Sequence, residues 1–160
     1  MTEVTIRDYA PEDADRLTEM MRELQGDLAP IYDRMLPPER MAAWYRDEVL
    51  TECAAANGKA LVAECDGRLI GYATLLLDVA SKKRDEIVFT YALVGELLIT
   101  EEARGQGVGM KLLAECERIA RDGGAKWLRI EVLAANGGAR RLYERSGFTD
   151  HLILMEKPLS

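Results

Sequence analysis

The chain has 160 residues, 48% hydrophobic and 31% charged, with a net charge of −7. That length suits one domain with its own core, and the acidic balance excludes broad nucleic-acid binding, which needs a basic face. No apolar run approaches the ~18 residues of a membrane span. The first eight residues carry neither a basic stretch nor a long apolar core, so no signal peptide and a cytoplasmic location are expected. Cys53, Cys65 and Cys116 are odd in number and unclustered, and His151 is the only histidine. Reduced, mostly buried thiols are therefore expected, with no disulfide framework and no metal site.

In chain order, Val4–Arg7 reads as a first strand. Pro11–Asp13 reads as a helix start with acidic first-turn residues. Ala14, Leu17, Met20, Met21 and Leu24 then keep helical spacing until Gly26. The stretch from Leu28 to Leu36 is irregular. Pro37-Pro38-Glu39 opens a second helical pattern through Met41, Trp44, Tyr45, Val49 and Cys53, stopped by Asn57-Gly58. Lys59–Cys65 and Leu69–Val79 are two strands joined at Asp66-Gly67, a hairpin dipeptide. Gly71 marks a bulge or a close approach. Residues 81–86 are a charged loop. A long strand is expected over Ile87–Ile99, interrupted at Gly95. Val108, Leu112, Cys116, Ile119 and Ala120 follow at helical spacing, ended by Gly123-Gly124. Trp127–Val132 is a strand, Asn136 opens a helix through Ser146, Gly147 ends it, and Leu152–Glu156 is a final strand.

The expected architecture is one α/β (mixed α+β) domain over residues 1–160 in the order β-α-α-β-β-β-α-β-α-β. It has a central mixed sheet of six or seven strands with helices on both faces. The Ile87–Ile99 strand, the helix after it and the Trp127–Val132 strand form a right-handed parallel crossover.

The chain is organised around Arg104-Gly105-Gln106-Gly107-Val108-Gly109, between an apolar strand and a helix. Glycines there let a backbone approach a ligand closely. The first helical turn aims unpaired N–H groups and the positive end of its dipole into the turn, which suits a phosphate or pyrophosphate, and Arg104 adds a positive charge. A tight strand-to-helix connection alone would also explain the glycines. The dinucleotide fingerprint fails on spacing and the P-loop fails because Lys111 follows Met110 and precedes Leu112. What the stretch matches is R-x-x-G-x-G. Further along, Asn136-Gly137-Gly138-Ala139 and Leu142-Tyr143-Glu144-Arg145-Ser146-Gly147-Phe148 fit N-x-x-A-x-x-x-Y-x-x-x-G-F at each fixed position.

The two motifs, in this order and with a helix and a strand between them, resemble those of the GNAT acetyltransferase superfamily. The resemblance covers nearly the whole chain and is weakest over Leu28–Leu36 and at the C-terminus. It implies acyl transfer, usually acetyl, from acetyl-CoA (an acyl-CoA co-substrate) to an amine. It also implies a bulged strand that splays from its parallel neighbour, with Gly95 as the bulge site. In that gap the backbone of Leu97, Leu98 and Ile99 would face the cofactor amides, and an N–H near Leu98 would polarise the thioester carbonyl. Backbone N–H groups of Gly105, Gln106, Gly107, Val108, Gly109 and Met110 would hold the pyrophosphate beside Arg104. Asn136 and Tyr143 would border the cofactor from the second motif.

Each side chain also has a plainer reading. Asn136 reads as an N-cap, compatible with a cofactor role. Tyr143 reads as a core aromatic, or, by the resemblance, as the acid that protonates the leaving CoA thiolate. Glu96, next to the bulge, reads as a solvated carboxylate or as the base, acting directly or through water. His151 reads as a strand-edge histidine, and Cys65 and Cys116 as core thiols. Three functions are consistent with the sequence. They are an N-acetyltransferase of a small-molecule amine, an acetyltransferase of a protein N-terminus or lysine, and a non-catalytic acyl-CoA-binding module. Neither nucleic acid nor membrane is expected as a partner, and a homodimer is the family's common habit.

Overall fold

The computed structural model describes residues 2–160. Its centre is a five-stranded sheet in the sequential order β1-β2-β3-β4-β5. The strands are β1 (Thr5–Asp8), β2 (Lys59–Cys65), β3 (Arg68–Ala80), β4 (Thr90–Ile99) and β5 (Leu128–Ile130). β1 to β4 pair antiparallel, and β4 pairs β5 in parallel. The helices are α1 (Ala14–Leu28), α2 (Ala43–Ala55), α3 (Val108–Asp122) and α4 (Gly137–Arg145).

Strand alternation sends side chains to two separate cores, one on each face of the sheet. Leu61, Ala63, Ala73, Leu75, Ala92 and Val94 face α3, which buries Val108, Leu112, Leu113, Cys116 and Ala120 on them. Leu142 and Tyr143 of α4 pack on the edge of that core. On the other face Val62, Tyr72 and Leu98 meet Leu17, Met20 and Met21 of α1, with Tyr45, Val49 and Leu50 of α2 at the margin. The expected helices on both faces are thus formed. The hairpin dipeptide also acts as expected. Asp66 (φ 51°) and Gly67 (φ 72°) both take the left-handed backbone of a two-residue turn whose twist matches the strands.

Several sequence-based boundaries shift. α1 runs through Gly26 to Leu28, because a single glycine costs a helix only about 1 kcal/mol and packing on the sheet outweighs it. The second helix begins at Ala43, after a separate 3-10 turn at Pro38–Arg40. β4 starts at Thr90, leaving Ile87 84% and Val88 97% exposed outside it. β5 keeps only Leu128–Ile130 of the expected Trp127–Val132.

The expected six or seven strands are corrected to five, because the final strand over Leu152–Glu156 does not form. A strand needs a neighbour's edge, and β5 offers only three residues to pair with. The tail after Phe148 is held by polar contacts instead. Asp150 bonds Arg140, His151 lies 3.3 Å from Arg129, and Glu156 bridges to Arg34. Leu154 remains 92% exposed. No helix among the described residues is long and apolar enough to cross a membrane.

Candidate active site

The site is generated by one irregularity in β4. Val94 pairs with Leu75 and Leu97 with Ala73, so β4 spends three steps where β3 spends two. The extra residue is a β-bulge at Gly95–Glu96, where Gly95 was expected to supply one. The Glu96 N–H that the bulge unpairs is taken by the Thr74 hydroxyl at 2.8 Å. A Cβ on residue 95 would lie 2.9 Å from that same Thr74 oxygen, so this arrangement requires glycine.

The bulge has two consequences. First, a one-residue insertion flips every later side chain to the opposite face. Ala92 and Val94 point to the α3 core, and Leu97 and Ile99 continue on that face, while Glu96 and Leu98 turn to the α1/α2 face. Without the extra residue Glu96 would lie under α3. Second, pairing of β4 with β5 ends at Val94–Ile130, where the bulge begins. Leu97, Leu98 and Ile99 pair only with β3. Their other edge opens into the gap between the parallel strands.

The glycine-rich turn lies at the end of that open edge. Gly107 is the N-cap of α3 with φ 81°, and Gly105 has φ 75°. Nothing lies within 4 Å of where a Cβ would sit at either residue. The turn is therefore bare backbone with open space above it, next to the free N–H groups of Val108, Gly109 and Met110. This cradle fits a pyrophosphate. Gly109 has a different job, since a Cβ there would lie 2.7 Å from Leu142 Cδ2. Its missing side chain lets the start of α3 close on α4, and so couples the turn to the helix that carries Tyr143. The Arg104 guanidinium points away from a purely free role: Nε donates to the Ile99 carbonyl at 3.0 Å and Nη2 contacts Asp27 at 2.5 Å. The Gln106 amide donates to the Glu102 carbonyl.

Asn136 caps α4, its Oδ1 accepting from the Ala139 N–H at 3.2 Å. Tyr143 stacks edge-on against Phe148 with ring centroids 6.1 Å apart. Burial pushes its hydroxyl up to about 12, so the phenol stays protonated.

Glu96 is half-buried, with both carboxylate oxygens engaged. Oε1 accepts from the Tyr45 hydroxyl of α2 in a very short contact, and Oε2 accepts from the Tyr72 hydroxyl of β3 at 2.8 Å. Burial raises the Glu96 pKa above the ordinary glutamate value; the two tyrosine hydrogen bonds act against the rise and the Glu52 charge adds to it. Beside it lies a cleft of about 300 Å³ between α2 and the sheet, bordered by Glu48, Val49, Glu52, Thr74 and Leu76 among others. A cleft of similar size at the far ends of α3 and α4, around Trp127 and Phe148, holds none of these groups.

Tyr45 and Tyr72 carry no motif, and a sequence reading has no reason to single them out. They lie 51 and 24 residues from Glu96 in the chain. His151 is exposed at the tail beside Arg129, away from Glu96. Burial pushes Cys53 up to about 11 and Cys116 up to about 12, so neither is a thiolate nucleophile.

Comparison with known proteins gives the family and the same fold. The model of the acetyltransferase (GNAT) family matches residues 18–148. The uncharacterized N-acetyltransferase YhfO of Bacillus subtilis is 31% identical over 90 residues, 56% of this chain and 58% of that protein. YycN of the same organism, also an uncharacterized N-acetyltransferase, is 35% identical over 68 residues, 42% and 44% of the two chains. The matched part spans about half the length of these curated relatives. A putative acetyl transferase from Pyrococcus furiosus has the same fold, with a TM-score of 0.74 at 22% identity over 98% of this chain and 100% of that one. Aminoglycoside N-acetyltransferase AAC(6')-Iy, solved in complex with CoA, reaches a TM-score of 0.68 at 15% identity over 96% and 99%. With a family model running from α1 to the end of the second motif, this chain belongs to the acetyltransferase (GNAT) family.

Proposed function

We propose that the chain is an N-acetyltransferase that moves an acetyl group from acetyl-CoA to a primary amine of a small molecule, by direct attack in a ternary complex. The observation that carries this reading is the bulge at Gly95–Glu96. One insertion both frees the strand edge that a donor arm needs and turns a carboxylate toward a cleft on the other face. Acetyl-CoA, when bound, supplies an activated thioester.

The chain's own residues divide the work. Backbone N–H groups from Gly105 to Met110 suit the pyrophosphate, and the free edge of Leu97–Ile99 suits the amides of the pantetheine arm. An N–H near Leu98 is the donor for the carbonyl oxygen as it gains charge. An acceptor ammonium has a pKa of about 10 and has to lose a proton before it can attack. Glu96, as carboxylate, takes that proton. The nitrogen forms its bond to the acyl carbon and gives up its second proton to solvent, while the carbon–sulfur bond breaks. Tyr143 donates a hydrogen bond to the departing sulfur, which takes its proton from solvent. A phenol held near 12 does not give up its proton readily, which puts the Tyr143 contribution at the low end for acid catalysis.

A cleft of about 300 Å³ is the size of a small-molecule site, which favours a small amine over a protein acceptor. The test is a panel of small amines and peptides with acetyl-CoA, followed by free-thiol release. The expected result is turnover on small primary amines, together with a rise in thermal stability on adding CoA. Binding at 100 times Kd stabilises by about 2.7 kcal/mol. Turnover on peptides alone would move the reading to a protein acetyltransferase. CoA-dependent stabilisation without any turnover would leave an acyl-CoA-binding module. Folded protein with no response to saturating CoA would sink the donor site.

A further inference from the structure

The two tyrosines on Glu96 are not equivalent. Tyr72 is fully buried on the central strand β3, packed among residues of the α1 face. Its hydroxyl has no second place to go in a close-packed core. Tyr45 is half-buried on α2, at the wall of the cleft, with its ring edge-on to the exposed Trp44. Rotation of that side chain moves its hydroxyl off the carboxylate and into the cleft.

The charge balance around Glu96 is also incomplete. Its hydrogen-bond partners are Tyr45, Tyr72 and Thr74, and the polar groups that line the cleft with it from α2 are Tyr45, Glu48, Glu52 and Cys53. Among the described residues no lysine, arginine or histidine lines the cleft, and Glu96 forms no salt bridge. Even a half-buried carboxylate loses part of its hydration and is costly without a cation, and two neutral phenols supply only part of what it lacks. An ammonium brings both the missing charge and N–H donors, and charge-assisted hydrogen bonds are about twice as strong as neutral ones. A donor exchange at one carboxylate oxygen is therefore downhill for a cation and close to neutral for an uncharged hydroxyl.

We propose that Tyr45 is the removable partner of Glu96: the ammonium of the acceptor replaces the Tyr45 hydroxyl on Oε1, while Tyr72 holds Oε2 as the positioning residue. The cleft thereby selects acceptors that arrive as cations, and deprotonation takes place only after the exchange. This inference rests on the reading of Glu96 as the base. It adds two residues and an order of events to that reading.

The test uses the intact protein labelled with carbon-13 at glutamate Cδ and tyrosine Cζ, so that it needs neither acetyl-CoA nor turnover. Glu96→Gln, Tyr45→Phe and Tyr72→Phe assign the three signals. Adding propylammonium chloride at neutral pH is expected to shift the Tyr45 Cζ and Glu96 Cδ signals and to leave Tyr72 Cζ in place. Propanol at the same concentration is expected to leave all three. Loss of either phenol removes a donor from the carboxylate, so each phenylalanine variant is expected to titrate Glu96 at higher pH, by roughly one unit. In kinetics the two variants are expected to split. Tyr45→Phe lowers the KM of the amine several-fold, because nothing is displaced. Tyr72→Phe lowers kcat, because the carboxylate loses its fixed anchor. Equal response of Tyr45 and Tyr72 to propylammonium, no response of Tyr45, or equal response to propanol would overturn the exchange. An unmoved Glu96 titration in both variants would reduce the tyrosines to packing. These outcomes are independent of CoA binding, so a failure here leaves the donor site and the acetyltransferase reading standing.

Discussion

The proposed donor side and the proposed acceptor side of this site are built from different materials. The donor side is backbone: an unpaired strand edge at Leu97–Ile99, a turn with two left-handed glycines, and the first turn of α3. The acceptor side is side chain: a carboxylate and two phenols brought together from β4, α2 and β3. Backbone sites are specified locally, by residues adjacent in the chain. Side-chain sites are specified by tertiary packing. Mutations should therefore act on the donor side through conformation and on the acceptor side through chemistry.

The largest expected effect lies on the donor side. Gly107→Val puts a β-branched residue at φ 81°, a conformation such residues rarely adopt. Its side chain also projects into the open space above the turn. The expected result is loss of CoA binding, read as loss of the CoA-dependent rise in Tm, with the folded state retained. Gly109→Val is expected to fail differently. Its side chain drives into Leu142, so overpacking should lower the stability of the protein without ligand by about 1–3 kcal/mol, read as a lower Tm. Normal CoA affinity in Gly107→Val would break the comparison, because the turn would no longer act as bare backbone.

Next is the acceptor carboxylate. Glu96→Gln is expected to lower kcat about 100- to 10,000-fold while leaving the CoA-dependent Tm rise in place. The pH behaviour follows from the direction of its shift. A carboxylate raised by burial binds its proton more tightly in the folded state than in the unfolded state. Its contribution to stability is full at low pH and is lost as pH rises through the folded-state value. Glu96→Gln cannot lose that contribution, so its Tm is expected to exceed the wild type at neutral pH and to converge with it in acid. Asp13 runs the other way. The Arg7 hydrogen bonds hold its pKa low, so its contribution is present above the unfolded value and is lost as pH falls through the folded one. Activity is expected to fall on the acid side at a pH above the ordinary glutamate range. An acid limb at the ordinary glutamate position would show that Glu96 is not the titrating base.

This division also explains what could be read from the sequence. The glycine turn, the hairpin at Asp66-Gly67, the cap at Asn136 and the bulge at Gly95 are each encoded within a few residues, where glycine or asparagine is the only economical choice. Glu96 could be singled out because it is next to that glycine. Tyr45 and Tyr72 could not, since nothing local distinguishes a tyrosine on a helix or in a strand from any other half-polar aromatic. The final strand failed for a related reason. The apolar run Leu152–Met155 marks a segment able to pair, but pairing depends on the length of β5, which is set elsewhere. Gly26 misled in the opposite direction, because a weak local breaker yielded to the packing of α1.

Tyr143 stands between the two sides, carried on α4 but coupled to the turn through Leu142 and Gly109. Tyr143→Phe removes only a hydroxyl from a ring already packed against Phe148. The expected fall in kcat is about 100-fold or less, with CoA affinity held within a few-fold, because the hydroxyl acts mainly as the sulfur departs. Comparing kcat where chemistry limits the rate checks this. An unchanged kcat would return Tyr143 to a packing role, with no hydrogen bond to the departing sulfur.

The smallest expected effect tests whether any side chain matters on the donor side. Arg104 is the one basic residue in the glycine turn's motif, yet its guanidinium is shared between the Ile99 carbonyl and Asp27 of α1. Both side chains of the ion pair are nearly half exposed, at 46% and 45%. A pair so open to solvent is worth about 0–1 kcal/mol, so Asp27→Asn should change Tm little. It does remove a negative charge beside the turn and leaves Arg104 free to turn toward an anion. The expected result is CoA binding tighter by a few-fold at low ionic strength. In about 1 M salt the Debye length is near 3 Å and the gain should vanish. Arg104→Ala should weaken binding by a similar factor, with the same salt dependence. If Arg104→Ala instead abolished binding as completely as Gly107→Val, the donor site would depend on a side chain after all. The contrast between a backbone-built donor side and a side-chain-built acceptor side would then fail at its first term.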